Sequence, residues 1–144
     1  MEQTEETAQV RQDEWRYQWE RYQTMPEFLF LDWIAPRTLE DLRGRRVFEA
    51  GCGRGHHARI AARTAAHVTA MDLNAAQTAR QEVAEFKNVT VLEGDIARYR
   101  PAELFDVVYC IGVIHHTNDP DATFANLKRM VRPGGLLIIW CYAH

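Results

Sequence analysis

The sequence predicts an α/β fold: a doubly wound, mainly parallel sheet of about five strands behind an N-terminal helical extension. Three observations carry this. From residue 46 onward, short apolar or β-branched runs alternate with helical stretches, the pattern of right-handed βαβ units. The run FDVVYCIG (105–112) is apolar over most of its length, as a strand buried on both faces should be. The chain has 144 residues, 47% hydrophobic and 26% charged, which suits one globular domain with a real core. That composition excludes wholesale disorder, collagen-like repeats and a disulfide-stapled miniprotein.

The elements follow in order. Residues 9–24 read as a helix, because Trp15, Trp19 and Tyr22 fall on one face of a 3.6-residue period. Pro26 closes it or starts the next turn. A second helix is expected over 27–34, and Pro36 opens a third over 37–42. RVFEA (46–50) is the first strand, and GCGRG turns it into an alanine-rich helix over 55–65. HVTAMD (67–72) is the second strand, and Asn74 caps a helix over 75–86. NVTVLEG (88–94) is the third strand and FDVVYCIG the fourth. Asp119-Pro120 starts a helix to about Val131, Pro133-Gly134-Gly135 stops it, and GLLIIWCY (135–142) is the fifth strand. The organisation is therefore an extension over residues 1–45 and a core over 46–144.

Charge supports that division. Residues 1–46 hold 10 acids and 7 bases, whereas residues 47–144 hold 10 of each, so the core carries no net charge. The overall charge is −3, which argues against a nucleic-acid partner. No apolar run is long enough to span a membrane, and the start MEQTEETAQV is acidic and polar, unlike a secretory signal. The cysteines Cys52, Cys110 and Cys141 are odd in number and widely spaced. They indicate neither a zinc site nor a disulfide framework, and the expected compartment is the cytoplasm.

Ligands of parallel α/β sheets bind beyond the carboxyl ends of the strands. Three signals sit there. The loop Gly51-Cys52-Gly53-Arg54-Gly55 lets a backbone turn sharply and lets a ligand approach closely. Its third glycine comes one residue too early for a dinucleotide fingerprint, and Glu49 precedes it. A carboxylate there favours a cationic ligand over a pyrophosphate. Asp72, ending the second strand, can accept from two ribose hydroxyls, although it could equally cap a helix. Asp95 can accept from an adenine amino group while the Ile96 N–H donates to a ring nitrogen; a plain turn would read the same way.

The stretches VFEAGCGRG (47–55), VTAMDLN (68–74), LEGDI (92–96), FDVVYCIGVIHHTNDP (105–120) and LKRMVRPGGLLII (127–139) together resemble the class I S-adenosylmethionine-dependent methyltransferases. The resemblance covers about residues 46–142 and implies a Rossmann-like sheet, S-adenosylmethionine as cofactor, and methyl transfer to a small-molecule acceptor. By the same resemblance, Glu49 would hold the cationic methionine end. Gly51, Cys52, Gly53 and Gly55 would line the methionyl part, Cys52 by its backbone. Asp72 would bind the ribose with Leu73 against the adenine, and Asp95 and Ile96 would bind the adenine edge. Cys110 and Ile111 would flank the sulfonium. His115 and His116 are the candidate catalytic residues, as general bases, against a merely loop-shaping role. His56 and His57 suit packing or exposure, and no histidine pair completes a metal site. The N-terminal aromatics read either as a helix packed on the sheet edge or as a lid over the cofactor.

The family's sheet has seven strands, the last two forming an antiparallel hairpin after the fifth. Here the chain stops at Ala143-His144. The expectation is an incomplete sheet, read first as the N-terminal part of a longer enzyme and second as a naturally short protein. A non-catalytic cofactor-binding or assembly domain is the alternative function, and a nicotinamide oxidoreductase a third. The uncovered strand LLIIWCY (136–142) is apolar and uncharged, so a homodimer through that edge is expected.

Overall fold

The computed structural model describes residues 26–142. The helix expected over residues 9–24 lies outside the described residues, as do its aromatics Trp15, Trp19 and Tyr22. Helix α1 spans Glu27–Ile34, where it was expected. The third expected helix is only a 3₁₀ turn, Leu39–Leu42, and it starts at Thr38 rather than at Pro36. There the Thr38 side chain and the Asp41 carboxylate satisfy each other's backbone N–H groups, the Asp41 bond measuring 2.8 Å.

Five strands follow: β1 Arg46–Ala50, β2 His67–Asp72, β3 Val89–Glu93, β4 Phe105–Ile111 and β5 Val131–Trp140. They form one sheet in the order β3-β2-β1-β4-β5, and every pair is parallel. Strand order reverses between β1 and β4, so a crevice opens beyond their carboxyl ends. Helices α2 (His56–Ala61), α3 (Ala76–Glu82) and α4 (Pro120–Met130) complete the crossovers.

The two faces of the sheet carry separate hydrophobic layers. One contains Val47, Tyr109 and Ile111 with Phe30 and Ile34 of α1, Ala58 and Ala61 of α2, and Ala76 and Ala79 of α3. The other contains Phe48, Val108 and Cys110 with Leu127 and Met130 of α4. The division follows from strand geometry, in which successive side chains point to opposite faces. Burying a side chain such as Leu127 or Met130 contributes about 1.5–3 kcal/mol. Residues 26–45 are built onto this core, since Phe30, Ile34 and Leu42 are all buried in the first layer.

Three expectations about boundaries are corrected. Helices α2 and α3 are shorter than the alanine-rich sequence suggested, ending at Ala61 and Glu82. Asn74 does not cap α3; its own N–H donates to Asp72 Oδ1 at 2.9 Å, as does that of Ala75, so Asp72 closes this turn. The third correction concerns α4 and β5. α4 ends at Met130, and β5 begins at Val131. Phe105 pairs with Val131, but Val107 pairs with Leu136, so Arg132-Pro133-Gly134-Gly135 bulge from the ladder. Pro133 has no N–H to donate and cannot continue it. β5 ends at Trp140, before the Cys141-Tyr142 expected to finish it. The start of α4 is as read, with Asp119 Oδ1 accepting from the Ala122 N–H at 3.0 Å.

Among the described residues β5 forms an edge of the sheet, and Trp33 of α1 stacks on Trp140 with ring centroids 4.7 Å apart. No described helix is long and apolar enough to cross a membrane.

Candidate cofactor site

The site begins with a carboxyl group in the core. Parallel register sets Glu49 of β1 beside Tyr109 of β4, so the two side chains share one face of the sheet. Glu49 is 2% exposed and Tyr109 fully buried. Neither Glu49 oxygen has a hydrogen-bond partner among the described residues, and the Tyr109 hydroxyl has none either. Burial pushes the Glu49 pKa up to about 8; the Tyr109 hydroxyl beside it pulls the other way, and the Asp72 charge adds to the rise. An unpartnered buried carboxyl costs folding free energy, and a cation placed against it would recover that cost.

The glycine loop wraps over this carboxyl. Gly51 has φ +78°, and a Cβ there would stand 2.6 Å from Val113 Cγ1, so only glycine lets the loop lie against the segment after β4. Four of the loop's five amides are used within the protein. Gly51 and Cys52 N–H both donate to Met71 O at 2.9 Å, Gly55 N–H donates to Cys52 O at 2.9 Å, and Gly53 N–H donates to Asp72 Oδ2 at 2.9 Å. A pyrophosphate site needs such N–H groups aimed at the ligand. These are spent, which argues against the nicotinamide reading on grounds separate from glycine spacing. The Cys52 thiol is buried and its pKa is pushed up, by burial first and then by the Glu49 and Asp72 charges, so it is not a nucleophile.

Asp72 therefore does two things at once. Oδ2 braces the glycine loop and Oδ1 closes the turn into α3, so the helix-capping role weighed from sequence is present. Oδ1 thus accepts two bonds and Oδ2 one, which leaves one further lone pair, on Oδ2, for a ribose hydroxyl. Leu73 beside it is 45% exposed, an apolar surface beyond the strand end. Asp95 Oδ1 accepts from the Ala97 N–H at 2.8 Å and shapes the turn after β3. Gly94 N–H donates to Asp72 O at 3.1 Å and ties that turn to β2. Buried Ile96 is held from beneath by Asn126 of α4, whose Nδ2 donates to Ile96 O at 2.8 Å and to Tyr99 O at 3.1 Å.

The structure gathers Gly51, Cys52, Arg54, His56, His57 and Ile111 around one small cleft. Cys110 sits differently. Its side chain lies in the opposite layer with Phe48 and Leu127, and burial pushes its pKa up to about 12. His57 is packed, as the sequence suggested, stacked on Phe30 with centroids 4.8 Å apart and edge-on to Trp33 at 5.7 Å. Burial, then the neighbouring His56, lowers its pKa to about 4, so it is neutral. His115 and His116 form a 3₁₀ turn, Ile114–His116, just past β4. Their rings are 3.9 Å apart, and His116 Nε2 lies 2.8 Å from the Tyr142 hydroxyl. Among the described residues no group of three or more His, Cys, Asp or Glu is placed to hold a metal.

Sequence reasoning did not single out Tyr109, Val113, Asn126, Trp140 or Tyr142 for the site. Tyr109 had a readable signal: a polar hydroxyl within an apolar strand needs a partner, and Glu49 is on the adjoining strand. Asn126 was readable too, as an amide on the apolar face of α4.

This geometry defines a sheet whose order reverses beside a glycine loop, with acids at three successive strand ends. Residues 48–139 match the methyltransferase domain family. The ubiquinone biosynthesis O-methyltransferase of Pseudomonas syringae pv. tomato is 33% identical over 115 residues, covering 74% of this chain and 47% of that protein. The tRNA U34 carboxymethyltransferase of Alteromonas mediterranea is 31% identical over 136 residues, covering 88% and 38%. Among solved structures, the N-methyltransferase NodS of Bradyrhizobium japonicum, in complex with S-adenosyl-L-homocysteine, superposes with a TM-score of 0.68 at 22% identity, covering 84% and 61%. The chain belongs to the class I S-adenosylmethionine-dependent methyltransferase family. It spans between a quarter and about half of the length of the curated relatives it matches.

Proposed function

We propose that the chain binds S-adenosylmethionine beyond the carboxyl ends of β1, β2 and β3 and serves methyl transfer to a small-molecule acceptor. The observation that carries this is the buried, unpartnered Glu49 carboxyl beneath the glycine loop, 2% exposed and next to Asp72. The cofactor bears an ammonium and a sulfonium, and a carboxylate in a low-dielectric setting attracts both. When bound, it supplies a methyl group activated by positive sulfur.

The protein's residues hold and orient. Glu49 attracts the cationic methionine end, and Gly51, Cys52, Gly53 and Gly55 line it with backbone. Asp72 accepts from a ribose hydroxyl through the remaining lone pair of Oδ2 while Leu73 covers the adenine, whose edge meets Asp95 and Ile96. Ile111 and the Cys110 backbone close the sulfonium side. Sulfonium is already a good leaving group, so rate comes mainly from positioning the acceptor.

A small-molecule acceptor is favoured by charge: residues 47–144 carry 10 acids and 10 bases and offer no net basic field. The relatives' names include both a quinone-pathway O-methyltransferase and a tRNA-modifying enzyme, so the test has two arms. Calorimetry with S-adenosylmethionine, S-adenosylhomocysteine and NAD comes first; binding of the first two and not of NAD is expected, and the reverse overturns the cofactor assignment. Labelled methyl transfer to bulk tRNA but to no small acceptor would overturn the acceptor class. Tight binding without transfer to any acceptor would leave a cofactor-binding domain only.

A further inference from the structure

Apart from tyrosine and cysteine, four polar or charged residues are buried among the described residues: Glu49, His57, Thr123 and Asn126. The first two belong to the cofactor site. The other two lie about one turn apart on α4, on the buried stripe that Leu127 and Met130 continue, where apolar residues would be expected. Each holds a loop. Thr123 Oγ1 lies 2.9 Å from Asp119 O and 3.2 Å from Thr117 Oγ1, and Thr117 Oγ1 donates to Ile114 O at 2.7 Å, so Thr123 serves the loop after β4. Asn126 serves the turn after β3. Its Nδ2 donates to Ile96 O at 2.8 Å and to Tyr99 O at 3.1 Å, and its Oδ1 accepts from Arg100 Nη1. Both amide hydrogens and the oxygen are engaged, which fixes the orientation of the amide. The peptide joining Ile96 to Ala97 is gripped on both sides: Asn126 holds its oxygen, and Asp95 Oδ1 accepts its N–H at 2.8 Å. A peptide unit is planar, so the two grips act on one rigid body. The Ile96 N–H, one peptide earlier, has no acceptor among the described residues. Gly94 N–H donates to Asp72 O at 3.1 Å and Gly53 N–H to Asp72 Oδ2 at 2.9 Å, which ties this turn to the glycine loop.

We propose that Asn126 is a positioning residue for base recognition: by holding the Ile96–Ala97 peptide, it keeps the Asp95 carboxylate and the Ile96 N–H at the spacing that accepts a 6-amino purine and refuses a 6-oxo purine. This rests on the reading above in which the adenine edge meets Asp95 and Ile96. Adenine offers a donor at its amino group and an acceptor at N1, whereas hypoxanthine offers an acceptor at O6 and a donor at N1. The two patterns are inverse. Against a carboxylate beside an N–H, the first makes two hydrogen bonds; the second sets acceptor against acceptor and donor against donor. Such a site rejects the wrong pattern only while its own groups stay in place. Asp95 is about half exposed, and its ion pair to the exposed Arg98, at 3.8 Å, is long and screened by solvent. The rigidity of the turn therefore comes from beneath, from α4. An apolar residue at position 126 would leave Ile96 O and Tyr99 O without their donor and the peptide free to rotate, and Asp95 Oδ1 would move with it.

The test uses the full 144-residue chain and two ligands that differ only in carrying a 6-amino or a 6-oxo purine, S-adenosylhomocysteine and S-inosylhomocysteine, titrated by calorimetry. The parent is expected to favour the first by about 10²-fold. Asn126→Leu is expected to narrow that ratio to about tenfold or less, by weakening S-adenosylhomocysteine rather than by strengthening its analogue. Arg100→Met is a milder change that removes only the partner of Asn126 Oδ1. It is expected to narrow the ratio less, and it decides alone if Asn126→Leu does not fold. Thr123→Val is the control: it strips α4 of its other buried polar group, and it is expected to lower the melting temperature while leaving the ratio at the parental value. Hydrogen exchange at the Ala97 amide is expected to quicken in the Asn126 and Arg100 variants and not in Thr123→Val. A ratio unchanged in every folded Asn126 or Arg100 variant overturns the assignment. So does a ratio narrowed equally by Thr123→Val, which would make Asn126 a residue of general stability. A parent that binds both ligands alike removes the base from the Asp95–Ile96 turn and overturns it as well. A parent that binds neither overturns the cofactor reading and the assignment with it, and Ala97 exchange then shows whether the grip on the turn itself exists.

Discussion

Gly53 and Asp72 are joined by a 2.9 Å hydrogen bond from the Gly53 N–H to Asp72 Oδ2. The glycine loop and the end of β2 are therefore one unit, and the acid that would face the ribose also fixes the loop that would face the methionine. Asp72→Ala removes this bond and the two that Oδ1 accepts from Asn74 and Ala75. Hydrogen bonds to charged groups contribute about 1.5–3 kcal/mol each before compensation. Affinity for S-adenosylhomocysteine is expected to fall at least about tenfold, with a lower melting temperature. Asp72→Asn keeps one acceptor and should lose less of both. Unchanged affinity in the alanine variant would place the cofactor elsewhere.

A second prediction concerns Gly51. Alanine there places Cβ 2.6 Å from Val113 Cγ1 at a φ of +78°. Gly51→Ala should lose stability and cofactor affinity together. Val113→Ala in the same chain should restore only part, because the contact is relieved while the left-handed backbone remains strained. Paired thermal melts and calorimetry measure both; full restoration by Val113→Ala would mean the backbone strain is unimportant.

These predictions show where sequence was sufficient. β1 and β2 were readable to the residue, because RVFEA and HVTAMD are short apolar strands bounded by turn signals. The placement of Glu49, Asp72 and Asp95 at or just past strand ends was legible from the strand pattern. What failed was local: α2 and α3 end early because their last expected turns are not α-helical, and propensity cannot see that. The role of Asn74 went to Asp72 because the acid can reach both Gly53 and the helix start, a three-way relation invisible in one dimension. Tyr142 escaped because its meaning depends on β5 lying beside β4, which brings it to His116 from 26 residues away.

Asn126 offers a stability test. It is fully buried, its Nδ2 donates to Ile96 O and Tyr99 O, and its Oδ1 accepts from Arg100 Nη1. Asn126→Leu keeps the volume and strands two carbonyls. At about 1–3 kcal/mol for a buried unsatisfied group, denaturant unfolding should show a loss of a few kcal/mol. The Ile96 turn should also loosen, so amide exchange there should accelerate. A neutral variant would show that water replaces the amide.

His57 sets part of the acid limit of the fold. Its pKa is about 4 in the folded state against 6.5 for the free side chain, because it is buried against Phe30 and Trp33. Between these values the unfolded chain binds a proton that the folded chain does not. Stability must therefore fall as pH drops from about 6.5 towards 4, by of order 3 kcal/mol in all. His57→Phe should flatten that limb of a melting-temperature profile. An equally steep limb in the variant would assign acid unfolding to other groups.

Glu49 works in the opposite direction. Its folded pKa of about 8 lies above the ordinary 4.5, with burial the main cause, so between those values the folded apo chain holds a proton that the unfolded chain has lost. Stability without ligand should decline as pH rises through this window, by up to about 1.4 kcal/mol per pH unit, and Glu49→Gln should remove the decline. Ligand binding should show the mirror image. A cationic methionine end pairs with the ionised carboxylate, so below about pH 8 binding must expel the Glu49 proton, and affinity should rise with pH by up to about tenfold per unit. The neighbours facing Glu49 cannot supply this proton: Tyr109 has its pKa raised well above 10, and the Cys52 thiol is likewise pushed up. Calorimetry with S-adenosylhomocysteine at pH 7 in phosphate and in Tris reads the proton directly, because the two buffers differ in ionisation enthalpy. About one proton should be released by the parent beyond that released with Glu49→Gln, the variant serving to subtract the ligand's own amino group. Equal proton release in parent and variant would mean that Glu49 is already ionised before the ligand arrives, or that the cation binds elsewhere; affinity lost in Glu49→Gln would select the first and affinity retained the second.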